Sequence, residues 1–475
     1  MTPARSASAR VPRLAALLLA LLAGLVVTVQ PVSAHALSGT RFDAPVPLTL
    51  LYAAAAVTVL VTALAATRLV TTDARERTRK LLSPRATRVL VRGAQALALL
   101  VFAVALAQGL TGRQVRAENV ATLLAWAVVF DGLALLAALL GSPWRVLAPW
   151  TAIYDGLAAL EGRDPTLLNV DADPSAEPGQ RVRLASWPAL VAFLLLIGVF
   201  ENLTVLPESP ARTAVLLAAY ALVMLGGLLL VGRDWLAHAD PIGVFLDLVA
   251  RVAPLRVARD DDGALAATLR APWTATSEPV ASLGRVAFVV AAVYTISFDG
   301  FTSTPAFRGL LFWSTDVPEI PYGVAGVALY LLGFALFLAV FALTARAADA
   351  LGGRSDTRAA ARRLAPTVLP IAVAYEFAHY GAYVTTSAAR LLEVALAGVG
   401  YALELAPLAG VSVQAYWTFE VLVIVLGHVV AVLAAHRAAL ARYDASARRA
   451  HLPLTVLMVA YTVVSLWIIS QPVVA

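Results

Sequence analysis

Runs of about 20 apolar residues, separated by short polar segments, recur along the whole chain. A transmembrane helix needs about 20 consecutive apolar residues, so each run predicts one membrane span. The predicted spans are residues 46–70, 88–110, 119–141, 187–206, 211–231, 283–301, 320–345, 364–389, 417–436 and 453–474. The pattern therefore predicts an all-α fold, a polytopic bundle of about ten transmembrane helices.

Residues 1–34 have the features of a secretory signal peptide. Three arginines precede an apolar stretch over 14–27, and the small-residue sequence Val32-Ser33-Ala34 follows as a cleavage site. Cleavage after Ala34 would leave residues 35–475 as a single bundle domain. An uncleaved signal anchor is the alternative.

Basic residues are concentrated in every second loop between the predicted spans. The loops at 71–92, 142–186, 232–285, 346–363 and 437–452 contain 26 Lys and Arg residues, whereas the alternate segments contain six. Since positive loops stay in the cytoplasm, this pattern predicts a plasma-membrane protein whose two mature ends are extracytoplasmic. Within the longer inward loops we predict a short interfacial helix after residue 142 and another over 234–257.

Composition supports the membrane class and excludes several kinds of catalytic and metal-binding site. Hydrophobic residues make up 60% of the chain, and its mean hydropathy is +0.80. The net charge of +6 arises from basic residues in the loops between apolar runs, where they determine membrane topology. We therefore expect the lipid bilayer as a partner and no nucleic acid. The absence of cysteine excludes disulfides, thiolate metal sites, iron–sulfur clusters and a cysteine nucleophile. No Gly-x-Ser-x-Gly or His-Glu-x-x-His sequence is present, which disfavours the common soluble enzyme classes.

A carboxylate and an imidazole lie inside the eighth predicted span. Glu376 and His379 are three residues apart, so on a helix their side chains occupy neighbouring positions of one face. Ionisable groups at that depth cost several kcal/mol, and those that persist usually serve a function.

His428 in the ninth span is a further candidate. Counted from the outer ends of their spans, His379 and His428 each lie about 16 Å deep, which predicts that they meet between two antiparallel neighbours. Glu376, His379 and His428 then predict a divalent metal site, for zinc, copper or a single iron, because a di-iron centre needs a second Glu-x-x-His. The alternatives are a hydrogen-bonded cluster with neighbouring tyrosines, a proton or substrate relay, and a haem held by the two histidines.

Other polar residues lie mostly in the outer halves of the spans, which predicts a polar cavity open to the outside. Asp299 lies near the outer end of the sixth span, before Gly300, so it is either part of a helix-ending turn or a ligand or base near the cavity mouth. The remaining candidates are Gln108, Asp131, Glu201, Asn202 and Glu420, with His35 and Asp43 on the external N-terminal segment.

Three short stretches resemble one known family. They are residues 35–47 (HALSGTRFDAPVP), 297–305 (SFDGFTSTP) and 374–380 (AYEFAHY). Together they resemble multi-pass membrane proteins of bacteria and archaea known as fenitrothion hydrolases, over the chain from His35 through the eighth or ninth span. The resemblance implies a membrane hydrolase that cleaves an organophosphate triester, and it implies no set of catalytic residues.

Three classes of function fit these observations. The first is a hydrolase of an apolar small-molecule substrate, in which Glu376, His379 and His428 hold a metal and Asp299 and Glu376 act as catalytic groups. The second is a transporter or metal-handling protein that uses the same residues to bind an ion or carry protons. The third is an accessory factor that supports assembly of another membrane complex.

Overall fold

The computed structural model of this chain describes residues 47–69, 76–162, 164–167, 185–316 and 320–471. Within these ranges the chain is mostly helical. The helices are α1 (Leu48–Leu69), α2 (Pro84–Thr111), α3 (Val120–Leu140), α4 (Trp144–Leu147), α5 (Pro149–Glu161), α6 (Trp187–Glu201), α7 (Pro210–Val231), α8 (Asp234–Ala239), α9 (Pro241–Val249), α10 (Trp273–Thr276), α11 (Leu283–Thr302), α12 (Pro305–Asp316), α13 (Tyr322–Leu351), α14 (Thr357–Leu364), α15 (Leu369–Ala397), α16 (Val413–Tyr443) and α17 (Ala447–Ile469). The strands are β1 (Arg77–Leu82), β2 (Leu255–Arg259) and β3 (Leu265–Leu269).

Seven helical stretches in the described ranges are long and apolar enough to cross a membrane. They are α1, α2, α3, α7, α11, α13 and the continuous stretch Val413–Ile469, in which α16 and α17 are separated only by the short turn Asp444–Ser446. Helix α6 is apolar but shorter, and α15, which carries Glu376 and His379, is not among the seven. The helical, membrane-embedded class predicted from the apolar runs is therefore confirmed, whereas the number of ten crossings stays a prediction. The predicted signal peptide lies outside the described residues.

The five loops that are rich in Lys and Arg contact one another at one end of the bundle. Asp155 pairs with Arg233, and the amide of Val280 donates to the carbonyl of Arg362 at 2.9 Å. Arg442 pairs with Asp349 at 2.8 Å. Since consecutive spans alternate in direction, this grouping is what the predicted up-and-down topology requires.

Segments predicted to lie on the other side contact one another as well. The amide of Ala211 donates to Gln114 at 3.1 Å, and Arg390 donates to the carbonyl of Ala117 at 2.9 Å. The two sets of loops therefore lie at opposite ends of the bundle, which we call the basic end and the opposite end.

A small antiparallel sheet at the basic end departs from the all-α expectation. Its strand order is β1–β3–β2, with Thr78 opposite Thr268 and Val257 opposite Ala267. The predicted interfacial helix over 234–257 is wrong in its second half, because α8 and α9 end by Val249 and the chain then extends into β2. The strand β1 has the sequence RTRKLL and is exposed along its whole length, so no apolar alternation indicated it.

Asp240 joins three elements at the basic end. Its carboxylate accepts from the Trp144 indole at 2.9 Å, the Tyr220 hydroxyl at 2.5 Å and the Gly243 amide at 2.9 Å, and its side chain is buried. It also caps α9, since the Gly243 amide is one of the unpaired donors at that helix start. These bonds fix α4, α7 and α9 relative to one another.

Two helices near the centre of the fold contain π-helical stretches. Residues Leu123–Gly132 of α3 and Leu194–Glu201 of α6 have i→i+5 hydrogen bonds in place of the usual i→i+4 pattern. Asp131 lies in the first stretch, and Glu201 is the last residue of the second. Such stretches are rare and are found frequently at functional sites, because they reorient side chains by a fraction of a turn.

Gly427 sets the register between α15 and α16. A Cβ atom at this position would lie 2.3 Å from the Cβ of Ala374 and 2.6 Å from the carbonyl oxygen of Pro370, so only glycine permits so close an approach. Nearer the opposite end, the Tyr416 hydroxyl donates to the carbonyl of Ala378 at 3.1 Å. The two helices are therefore antiparallel neighbours, as predicted, and their relative height is fixed by contacts at both ends.

Candidate functional site

A histidine–carboxylate pair forms the outer part of the candidate site. Helix α11 presents Asp299 one turn before its end, and α15 presents His379, whose Nε2 lies 2.7 Å from Oδ2 of Asp299. The side chains are 28% exposed for His379 and 24% exposed for Asp299, so neither is fully buried. Tyr380, the next residue on α15, also bonds to Asp299. The alternative reading of Asp299 as a mere turn residue does not describe this geometry, because its carboxylate points at α15.

Four carboxyl groups from four helices interact with one another. They are Asp131 on α3, Glu201 on α6, Asp299 on α11 and Glu376 on α15. Asp131 and Glu376 are buried, with 6% and 4% of their surfaces exposed. We call these four residues the acidic cluster. The two π-helical stretches each contribute one of its members.

A small cavity lies between the deeper members of the acidic cluster. It is lined by Asp131, Glu376 and Tyr380 together with apolar side chains of α3, α6 and α9, among them Phe130, Phe193 and Phe245. Its free volume, about 20 Å³ for the centre of a water-sized sphere, is enough for about one water molecule. One carboxylate oxygen of Asp131, Oδ2, is buried without a hydrogen-bond partner among the described residues. A buried polar atom of this kind needs a proton, a water or an ion as its partner.

Arg116 lies beside the site at the opposite end of the bundle. It lies in the short turn Arg116–Glu118 that precedes α3, where it pairs with Glu208 and donates to the Tyr383 hydroxyl at 3.1 Å. Its guanidinium carbon is 5.8 Å from the centre of the Tyr383 ring. Tyr383 interacts in turn with Asp131 and Glu201, so Arg116 is connected to the acidic cluster through this ring.

Glu420, and not His428, lies beside His379. The register set by Gly427 puts the middle of α16 level with the start of α15, and Glu420 interacts electrostatically with His379. His428 is adjacent to Gly427 and therefore lies roughly 10 Å deeper than His379, at about 1.5 Å of rise per residue. The matching depths predicted for the two histidines are wrong, because counting from the outermost aromatic or basic residue ignored how far each helix extends beyond it.

The environment of His428 is that of a buried neutral imidazole. Its side chain is fully buried, and Nδ1 donates to the carbonyl of Ile424 at 2.8 Å. Its Nε2 is buried without a partner among the described residues, and its ring lies 6.2 Å from the ring of Tyr461. Tyr375, whose hydroxyl also lacks a partner there, interacts with Tyr461 from the side of His379.

The predicted metal ligands are not gathered in one place. Across the described ranges no three His, Asp or Glu side chains are arranged to hold a metal ion. Glu376 faces the small cavity, His379 faces Asp299, and His428 lies deeper against Tyr461. A zinc, copper or iron site on these three residues stays a prediction, and no step below depends on it. His35 and Asp43 lie outside the described residues.

Two members of the site were not singled out from the sequence. Arg116 was counted only as a loop charge, and Tyr380 only as part of a possible hydrogen-bonded cluster. The useful signal for Tyr380 was its spacing of four residues from Glu376. On a helix, side chains four residues apart point in more similar directions than side chains three residues apart, and both residues line the small cavity. For Arg116 no signal in the sequence indicated contact with a residue 267 positions away.

Comparison of the chain with models of protein families, with curated proteins and with solved structures finds no match.

Proposed function

We propose that this chain is a multi-pass membrane transporter in which the acidic cluster takes up and releases protons. The observation that carries the proposal is that four carboxyl groups from four helices, Asp131, Glu201, Asp299 and Glu376, lie within electrostatic range of one another in a largely buried region. Carboxyl groups inside a membrane are costly and usually mark an ion pathway or a proton relay.

The balance of charge in the site favours protons as the bound species. Beside the four carboxyls of the acidic cluster and Glu420, the basic groups are His379 and Arg116, and Arg116 already pairs with Glu208. Carboxylates that share a site of low dielectric constant cannot all be ionised, since each charge raises the cost of the next. Protons are a counter-charge that fits, because a carboxyl group that binds a proton becomes neutral and no longer repels its neighbours.

The arrangement also provides a direction for proton movement. Asp299 and His379 are partly exposed, Glu376 and Asp131 are buried, and Tyr380 contacts both levels. A proton that enters at the His379–Asp299 pair can therefore pass inward by way of the Tyr380 hydroxyl and one water in the small cavity. In a transporter such a proton would drive, or be exchanged for, the movement of a solute.

Infrared difference spectroscopy of the purified full-length chain tests the central claim. Protonated carboxyl groups absorb separately from carboxylates, so the wild-type protein should show a protonated-carboxyl band at neutral pH that shifts in deuterated water. Glu376→Gln should remove part of this band. Glu404→Gln, which alters an exposed carboxyl in the loop after α15, should leave it unchanged.

Proteoliposomes test the transport role. With a pH-sensitive dye inside and a potassium diffusion potential across the membrane, wild-type protein should admit protons faster than empty liposomes or the Glu376→Gln variant. A chain with no protonated carboxyl at neutral pH, and with proton flux equal to that of empty liposomes, would contradict the proposal.

A hydrolase is the second candidate, and the His379–Asp299 pair is the observation that favours it. A carboxylate that orients an imidazole makes a general base for water, and the family resemblance implies an organophosphate triester as the substrate. His379 would accept the proton as the water oxygen bonds to phosphorus and the aryloxide leaves. Incubation of purified protein with fenitrothion, with His379→Gln as the control, tests this reading. Phenol release that is equal in both proteins, or absent in both, would argue against it.

A further inference from the structure

An apolar cavity lies away from the acidic cluster. Its volume is about 280 Å³, and α11, α13 and α17 line it together with Val368, just before α15, and Ile371, in its first turn. Nearly all of its lining is aliphatic or phenylalanine, including Val293, Phe337, Val340 and Ala460. Tyr461 is the one residue of the lining with a polar side-chain atom. A cavity of this composition does not hold ordered water.

The position of the cavity along its helices determines what surrounds it. Its residues lie near the middle of α11, of α13 and of α17, so in a membrane the cavity is near the centre of the hydrocarbon core. Lipid headgroups and water-soluble ligands do not reach that depth, whereas acyl chains do.

The cavity opens sideways to the outer surface of the bundle. On its rim Leu336 is 62% exposed, and Val340 and Val464 are also exposed. The surface around it continues with other exposed aliphatic side chains, including Leu332 and Val456. A cavity that is almost wholly apolar, lies at mid-membrane depth and opens laterally has hydrocarbon as its neighbouring medium.

We propose that this cavity binds one acyl chain of a membrane lipid. The chain enters from the side between α13 and α17, and its methylene groups pack against Phe337, Val293 and Ala460. The proposal does not depend on the proton-transport function, because none of the lining residues belongs to the acidic cluster.

The acyl chain would end against a side chain that leads to the candidate site. The Tyr461 hydroxyl bonds to Ser297 and donates to the carbonyl of Val293 at 3.0 Å, and Ser297 lies two residues before Asp299 on α11. The Phe337 ring meets the Tyr461 ring edge to face, with centroids 6.0 Å apart. A bound chain therefore holds Tyr461 in place from the membrane side.

Photolabelling in liposomes tests the proposal. The probe is phosphatidylcholine that carries a diazirine near the middle of one acyl chain, and labelled peptides are located by mass spectrometry. Wild-type protein should be labelled preferentially on α13 and α17 residues that line the cavity. Ala460→Trp, which places a large ring in the cavity, should lose that labelling, and Leu452→Trp, an exposed position two turns away on the same helix, should retain it.

A second pair of variants guards against a folding defect in the first. Val340→Trp fills the cavity from α13, and Leu343→Trp is its exposed control on that helix. Loss of labelling in both filling variants, with normal gel-filtration profiles and intact labelling in both controls, is the expected result. Equal labelling in filling and control variants, labels spread evenly over all lipid-facing residues, or cross-links that show a second copy of the chain in the cavity would overturn the proposal.

Discussion

His379 and Asp299 are 80 positions apart in the sequence and are joined by a 2.7 Å hydrogen bond across two helices. Each comes from a different stretch of the chain, His379 from the middle of α15 and Asp299 from the last turn of α11. The bond therefore links the acidic cluster to the adjoining helix α16 through Glu420, which interacts with His379. Changes at either residue should be felt in both function and stability.

We expect Asp299→Asn to lower proton flux in liposomes by about 100-fold, the lower end of the effects seen for acid–base groups. An amide can still hydrogen-bond to His379, but it cannot exchange a proton or balance an imidazolium charge. Asp316→Asn, an exposed carboxyl at the end of α12, is the matched control. If both variants transport protons at the wild-type rate, Asp299 has no role in the pathway.

The absence of native cysteine makes the sheet at the basic end directly testable. Thr78 and Thr268 are opposite each other, and their hydroxyl oxygens are 3.0 Å apart, so a Thr78→Cys/Thr268→Cys double variant should form a disulfide under mild oxidation. Thr78→Cys/Leu265→Cys shifts one partner by three residues, about 10 Å along the strand, and should not cross-link. Peptide mapping without reductant provides the measurement. Equal cross-linking of the two pairs would mean that the strands do not have this register.

Gly427→Ala should destabilise the protein by about 1–3 kcal/mol, because the added Cβ meets Ala374 and the carbonyl of Pro370 and forces α15 and α16 apart. Gly226→Ala, within α7, is the control: a Cβ there meets no atom within 4 Å, and alanine favours the helix. Thermal unfolding in detergent should show opposite shifts for the two variants. A Gly427→Ala protein as stable as the Gly226→Ala protein would show that the helices do not approach so closely.

Asp240→Asn should cost about 1–3 kcal/mol of unfolding free energy, because the amide nitrogen cannot accept from the donors that Asp240 holds. Asp247→Asn, which removes only a salt bridge to the exposed Arg145, should have a much smaller effect.

The same residue predicts a pH effect. Burial raises the pKa of the Asp240 carboxyl, although its hydrogen bonds oppose that shift. A raised pKa in the folded state means that this group's contribution to stability is lost as pH rises through that pKa. The Asp240→Asn variant should lack this part of the dependence of stability on pH. Parallel stability–pH curves for the two proteins would contradict this assignment.

The apolar pattern was sufficient to predict the class of fold, and it pointed to some residues of the candidate site. Spans follow from the length of each apolar run, so helices were found where they were expected. Glu376, His379 and Asp299 stood out because ionisable side chains at membrane depth are rare. The contact between His379 and Asp299 required the relative rotation of α11 and α15, which no local pattern specifies.

The rest of the site depends on register and on local helix geometry. Asp131 and Glu201, two members of the acidic cluster, lie in π-helical stretches. A periodicity of 3.6 residues per turn therefore does not predict the direction of their side chains. His428 was expected beside His379, but the contact of Gly427 with Pro370 puts it deeper and brings Glu420 there instead. Such close helix contacts are made by small residues whose partners are not adjacent in sequence.

The strand β1 has a consequence for how the chain is made. Thr78 leaves the ribosome 190 positions ahead of Thr268, so β1 must remain unpaired while α2 through α9 are synthesised. Three of its six residues, Arg77, Arg79 and Lys80, are basic, and such charges discourage an open strand edge from pairing with another chain. Once β3 appears, the sheet can join β1 to the middle of the chain, so this end of the bundle cannot close before β3 has been synthesised.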